Sequence, residues 1–379
     1  MSSSDFDPNR VNLSTADPRE IICAMNAGEN EYDGHIGARI SAIFVIFFVS
    51  SFFTFFPVVA SRVKWFKMNK YVYLFARYFG AGVIIATAFI HLLDPAYEKI
   101  GPASCVGMTG HWADYSWCPA IVLTSIMSIF LMDFFAEQYV NMKYGYAHSP
   151  DVEQLITATP GQAAISHQQL HSGDQDDQMH LQHSINSVQQ AKDRNHKDND
   201  SEKNTITPSM DDLTERSFRQ QIAAFLILEF GVIFHSVIIG LNLGTTGPEF
   251  STLYPVLVFH QSFEGLGIGA RMSAIPFPAR LSWLPWVLCS CYGLTTPIAI
   301  AIGLGLRTTY NAGSFTANVV SGVLDAISAG ILIYTGLVEL LARDFLFNPE
   351  LTRGRRRLAF MVGSVFLGCG VMALLGKWA

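Results

Sequence analysis

Two histidine-bearing segments hold the residues best suited to chemistry. Phe234-His235-Ser236-Val237-Ile238-Ile239-Gly240-Leu241-Asn242-Leu243-Gly244 aligns with Phe259-His260-Gln261-Ser262-Phe263-Glu264-Gly265-Leu266-Gly267-Ile268-Gly269. Both copies open on Phe-His, continue to Gly-Leu after four variable positions, and end on an aliphatic residue and Gly. In the second copy His260 and Glu264 stand four residues apart, so on a helix they share a face, and Gln261 flanks them. Two imidazoles and one carboxylate around a shared point suit zinc. They supply nitrogen and oxygen donors, and water completes a four-coordinate shell. These ligands bind metal in their deprotonated forms, so such a site is sensitive to pH.

The elements that must position these groups are membrane helices. Half of the residues are hydrophobic and only 15% are charged, against about a quarter in soluble proteins. Stretches of about 20 apolar residues, long enough to span a bilayer, occur at 38–60, 72–95, 120–141, 220–243, 252–274, 283–306, 316–338 and 357–378. The expected fold is an all-α membrane protein of eight transmembrane helices, divided three and five. Residues 1–37 are a polar tail without an apolar signal segment, so the first span is expected to direct its own insertion. The net charge of −6 gives no reason to expect a nucleic-acid partner.

The two motif copies fall on consecutive spans and therefore run in opposite directions. Inverted repeats place a substrate site near the bilayer midplane, where the repeats meet, and both histidines lie well inside their spans. An ionisable group there costs roughly 2.5–3.5 kcal/mol on insertion scales. One buried histidine is often only a hydrogen-bonding helix contact. Packing does not account for two histidines and a glutamate at matched depth. The spacing of Gly240 with Gly244 and of Gly265 with Gly269 is that of small-residue packing motifs, expected to bring the two helices close. His91 and Asp94 near one end, and Asp133, Glu137 and Asp325 elsewhere, are candidates for a cation pathway through the central trio. Glu229 and Glu339 also lie within spans.

Residues 142–219 break the pattern. They are polar, nearly free of aromatic residues and unable to bury enough apolar area to fold, so a disordered cytosolic loop is expected. The loop carries His167 with His171 and His180 with His183, spaced to share an ion and candidates for weak metal binding. Its lysines are accessible to modifying enzymes. Lys and Arg concentrate in the loop after the first span (Arg62, Lys64, Lys67, Lys70) and in the one before the last (Arg343, Arg353, Arg355, Arg356). Cytosolic loops carry that excess, which puts both termini outside, with Arg39 and Arg307 as exceptions near outer ends. Cys23, Cys105 and Cys118 then lie outside, where disulfides persist. Cys105 and Cys118 bracket a short loop and are candidates to pair.

At these residues the chain resembles the ZIP family of divalent-metal transporters, and is most similar to its fungal plasma-membrane zinc-uptake members. The marks are His235-Ser236-Val237-Ile238-Ile239-Gly240 and His260-Gln261-Ser262-Phe263-Glu264-Gly265. Others are Ala88-Phe89-Ile90-His91-Leu92-Leu93 and Ser321-Gly322-Val323-Leu324-Asp325-Ala326-Ile327-Ser328-Ala329-Gly330. The resemblance implies a ZIP-type bundle with its site between the fourth and fifth spans, and inward flux of Zn2+, in some members Fe2+, Mn2+ or Cd2+. It also implies that one helix group moves against the other. His235, His260 and Glu264 would be primary ligands, with Gln261 and Ser236 beside them. Some bacterial members hold a second ion with an Asn after the first histidine, a carboxylate four residues after it, and an Asp after the second histidine. Here those positions are Ser236, Ile239 and Gln261, so a single ion is expected. An intramembrane zinc hydrolase has a similar ligand shell, but the H-E-x-x-H motif is absent. A channel in place of a carrier, and a homodimer, are open.

Overall fold

The computed structural model describes residues 11–12, 17–26, 32–63, 69–144, 210–309, 311, 313–347 and 354–378. All regular structure among them is helical. Met1–Val140 and Thr214–Ala379 make one compact unit. The second, Asn141–Leu213, lies almost wholly outside the described residues, as do His167, His171, His180 and His183.

A short helix, α1 (Pro18–Asn26), precedes the long ones. These are α2 (Ile36–Arg62), α3 (Lys70–Ile100), α4 (Trp117–Tyr144), α5 (Met210–Thr245), α6 (Phe250–Ala274), α7 (Leu284–Leu306), α8 (Phe315–Phe345) and α9 (Arg355–Leu375). Helix α5 starts at Met210 rather than at 220, so part of the polar segment before the span is helical.

Seven of these helices, not eight, are long and apolar enough to cross a membrane. The remaining expected span, 252–274, folds as α6. At 25 residues it has the length, but His260, Gln261, Glu264 and Arg271 lower its apolarity. The helix meets that difficulty by burial: His260, Gln261, Glu264, Gly265, Ile268 and Gly269 are all enclosed by protein. The main apolar core joins Ile84, Leu92 and Ile100 of α3 to Leu228 and Val232 of α5, Ile268 of α6, and Ala326 and Leu332 of α8.

Helix α3 changes its winding at Thr87–Leu93, which is π-helical. Pro95 gives the reason. It has no N–H to offer the carbonyl of His91, and its ring would strike that carbonyl in a continuous α-helix. A wider π turn re-routes the backbone, as such turns often do near functional sites, and it carries His91. A second π segment, Thr335–Ala342 in α8, carries Glu339; no sequence feature accounts for it.

The glycines of the two motif copies do not pack on each other. A Cβ on Gly240 or Gly244 would strike α7, at Ala299 and Thr296 or at Gly303 and Leu304. One on Gly265 or Gly269 would strike Thr54 of α2. Each glycine pair seats its own helix on an outer neighbour and leaves the histidine faces toward each other. Helices α3 and α6 also cross closely: a Cβ on Gly80 of α3 would lie 2.1 Å from Cα of Gly267 in α6.

Cys105 pairs with Cys23 of α1, not with Cys118. Cys118 is a free thiol, buried at the start of α4 in the core beside Ile100 and Val106. The bond links α1 to the 101–116 loop.

Gly80→Ala is expected to force α3 and α6 apart, at a cost of about 1–3 kcal/mol for an overpacked interior. Thermal unfolding of the detergent-purified protein should show a lower midpoint than wild type, and an unchanged midpoint would contradict backbone contact at this crossing.

Candidate metal centre

Helices α5 and α6 bring His235 and His260 face to face. Their Nε2 atoms are 3.3 Å apart. Two zinc–nitrogen bonds of about 2.05 Å at a tetrahedral angle subtend about 3.3 Å, so the spacing is that of one edge of a zinc tetrahedron. One turn along α6, Glu264 Oε2 lies 3.7 Å from His260 Nε2. Ligand atoms of the three residues all fall within 4.8 Å of one another, and among the described residues this is the one such cluster. Exposure is 1% for His235, 3% for His260 and 0% for Glu264.

The chemistry of the donor set favours a cation. Glu264 Oε1, His235 Nδ1, Gln261 Nε2 and Ser236 Oγ are buried without hydrogen-bond partners. A buried carboxylate without a compensating charge is costly. The 3.3 Å contact would also suit one imidazole donating to the other, but that bond leaves Glu264 uncompensated. A dication joins all three groups.

Around this centre, Tyr292 of α7 does what no sequence pattern indicated. Its hydroxyl lies 3.0 Å from Gln261 Oε1, 3.3 Å from the Gln261 carbonyl and 3.4 Å from Glu264 Oε2. One hydroxyl proton is shared among three acceptors, so Tyr292 orients Gln261 and Glu264 together. The available signal was a tyrosine within an apolar span, beside Thr295 and Thr296. Gln261 thus turns its Oε1 toward Tyr292. His91 reaches the site from α3, with its ring edge-on to that of His260 at 4.9 Å between centroids. Its Nε2 lies 3.3 Å from the Met372 carbonyl of α9.

The other pathway candidates are not part of this three-residue cluster. Asp94 and Glu137 are exposed. Asp133 accepts from the Tyr334 hydroxyl at 2.9 Å. Asp325 pairs with Lys99 at 2.8 Å. Arg39, the charge out of place in the loop pattern, is fully buried. Its guanidinium donates to the carbonyls of Leu243, Gly244 and Thr246 at the end of α5 and to Asp33, and it stacks 4.5 Å from the Phe250 ring centroid. Helix α5 has no basic residue in its last turn, so Arg39 of α2 supplies the positive charge that its C-terminal carbonyls favour.

A family model described as ZIP Zinc transporter matches residues 36–376. The chain belongs to the ZIP family. It is 55% identical to Zinc-regulated transporter 1 of Saccharomyces cerevisiae over 99% of this chain and 97% of that protein. It is 42% identical to Zinc-regulated transporter 1 of Schizosaccharomyces pombe, over 95% of this chain and 89% of the relative. With Zinc transporter 5 of rice the identity is 31%, over 95% and 92%. No solved structure matches the chain. As a ZIP protein it is a multi-pass membrane protein that transports zinc, and the hydrolase alternative falls away.

Tyr292→Phe removes the hydroxyl that orients this ZIP centre while keeping the ring in the core. Loss of an outer-shell partner commonly costs 10–100-fold in metal affinity. We expect the KM for zinc uptake to rise about tenfold at unchanged surface level; an unchanged KM would show that Tyr292 only fills space.

Proposed function

We propose that this ZIP chain moves Zn2+ into the cytoplasm through one ion-binding site made by His235, His260 and Glu264. The observation that carries the reading is the tetrahedral-edge spacing of the two buried imidazoles, with a buried carboxylate completing the cluster. Support for a single ion comes from the residues at the places a second would use. Ser236 offers a weak hydroxyl, Ile239 no ligand, and Gln261 is engaged by Tyr292.

The proposed setting is the plasma membrane, with both termini outside. Its support is the resemblance to fungal uptake members and the excess of Lys and Arg in alternate loops. Fe2+, Mn2+ and Cd2+ are the proposed competing cargoes, since histidine and carboxylate ligands suit them too.

Radiolabelled zinc uptake into cells lacking their own uptake systems tests the site. His235→Ala, His260→Ala and Glu264→Ala are each expected to abolish uptake while the protein still reaches the surface. Wild-type uptake in all three would sink the assignment. The single-ion reading has its own test: Ser236→Asn, Ile239→Glu and Gln261→Asp combined should raise bound zinc per purified chain. An unchanged stoichiometry would count against it.

A further inference from the structure

Lys99 pairs with a buried carboxylate, a geometry unusual for a partly exposed charge. Its ammonium lies 2.8 Å from Asp325 Oδ2, and Asp325 is 2% exposed. Lys99 belongs to the last turn of α3, and its stem packs on Gly322 of α8. Helical side chains lean toward their helix N-terminus. From the end of α3 that direction leads into the bundle, down to Asp325.

The depth of this pair can be read from the helix crossings. A Cβ on Gly231 of α5 would strike Ile331 of α8, which sets those residues side by side on antiparallel helices. From that crossing, His235 lies about 6 Å outward along α5 and Asp325 about 9 Å outward along α8. Asp325 is therefore nearly level with the metal centre, on its outer side in the proposed orientation. Asp325 is thus a buried carboxylate, already held by a lysine, at nearly the depth of the histidines.

We propose that Lys99 and the incoming divalent ion compete for Asp325, which makes Lys99 a determinant of zinc affinity at the outer entrance. The inference rests on reading His235, His260 and Glu264 as the transport site. Its physical basis is charge. A fixed ammonium near a dication's path raises the ion's energy there, and it occupies the carboxylate that would lower it. Asp325 alone would attract the ion; the Asp325–Lys99 pair carries no net charge. The Lys99 stem is flexible and partly exposed, so the ammonium has a route to solvent when the ion takes its place.

A purely structural bridge makes different predictions, because removing either partner of a buried pair destabilises the protein. The test is initial-rate uptake of radiolabelled zinc by Lys99→Ala, Asp325→Asn and the double variant, with surface protein quantified. Competition gives KM changes of opposite sign: about fivefold lower in Lys99→Ala, higher in Asp325→Asn, and not below wild type in the double variant. Lys99→Met, which keeps the stem against Gly322, is a second variant with the same expected sign as Lys99→Ala. A bridge gives changes of the same sign. Both single variants then lose surface protein or maximal rate, the double variant regains it, and the proposal is overturned. An unchanged KM in Lys99→Ala and Lys99→Met at normal surface level overturns it as well. His235→Ala separates the two claims: uptake persisting there sinks the site assignment, whereas the KM of the Lys99 and Asp325 variants alone bears on competition.

Discussion

The structure depends on a carboxylate held where water cannot reach it. Glu264 is fully buried, and one of its oxygens has no hydrogen-bond partner. In the interior of a membrane protein such a group is tolerated only with a cation or a donor nearby. The donors are few: Tyr292 offers one shared proton at 3.4 Å. The imidazoles of His235 and His260 can be ligands but carry no charge when neutral. The centre is therefore incomplete in charge and nearly complete in geometry. That combination binds a dication strongly relative to bulk water, yet without a cage of carboxylates that would hold it permanently.

Most of the surrounding architecture follows from keeping that centre dry and in register. Helix α6 carries too many polar residues to face lipid, so it needs protein around it. Glycine lets neighbours come close enough to provide it: α2 approaches at Gly265 and Gly269, and α3 at Gly267. Helix α5 is positioned from its end, where Arg39 binds the terminal carbonyls and is itself buried by Phe250 at the start of α6. One arginine thus joins α2 to both ligand-bearing helices. The π turn in α3 serves the same end, since it relieves Pro95 and turns His91 onto the ring of His260.

The clustering of His235, His260 and Glu264 was legible in the sequence because its signal is local. His260 and Glu264 share a helix face by spacing alone, and the motif repeat supplies His235. The all-helical fold was legible from the apolar runs. The count of spans was less so, because α6 mixes the two signals: its ligands make it look less like a span, though they are the reason it is enclosed. What escaped was non-local. Tyr292 meets Gln261 from a different helix, Cys23 meets Cys105 across 82 residues of sequence, and Lys99 meets Asp325 across 226. Neither charge nor spacing shows such pairs. The inward role of the motif glycines was misassigned for a related reason. Small residues announce a close approach but not the partner, and here the partners are α7 and α2.

The grouping of helices also bears on how an ion held this way can be released. All three proposed ligands come from α5 and α6. Those helices are seated on α7 and α2, through Gly240 and Gly244 on one side and Gly265 and Gly269 on the other. Lys99 and Asp325 belong to α3 and α8, which sit with α9 across the Gly80–Gly267 and Gly231–Ile331 crossings. A displacement of one group against the other would carry the ion and its ligands together, without breaking a metal–ligand bond during the movement. It would slide across contacts between glycines and aliphatic side chains, and would exchange the Arg271–Glu339 ion pair that joins α6 to α8 at 3.8 Å. The histidine that changes neighbours is His91, whose contact with His260 is edge-on ring packing, a weak interaction to exchange. A channel would have to release the ion from a fixed trio and pass it between ligands in place. With the proposed ligands all in one group, a movement of that group would leave the metal centre intact.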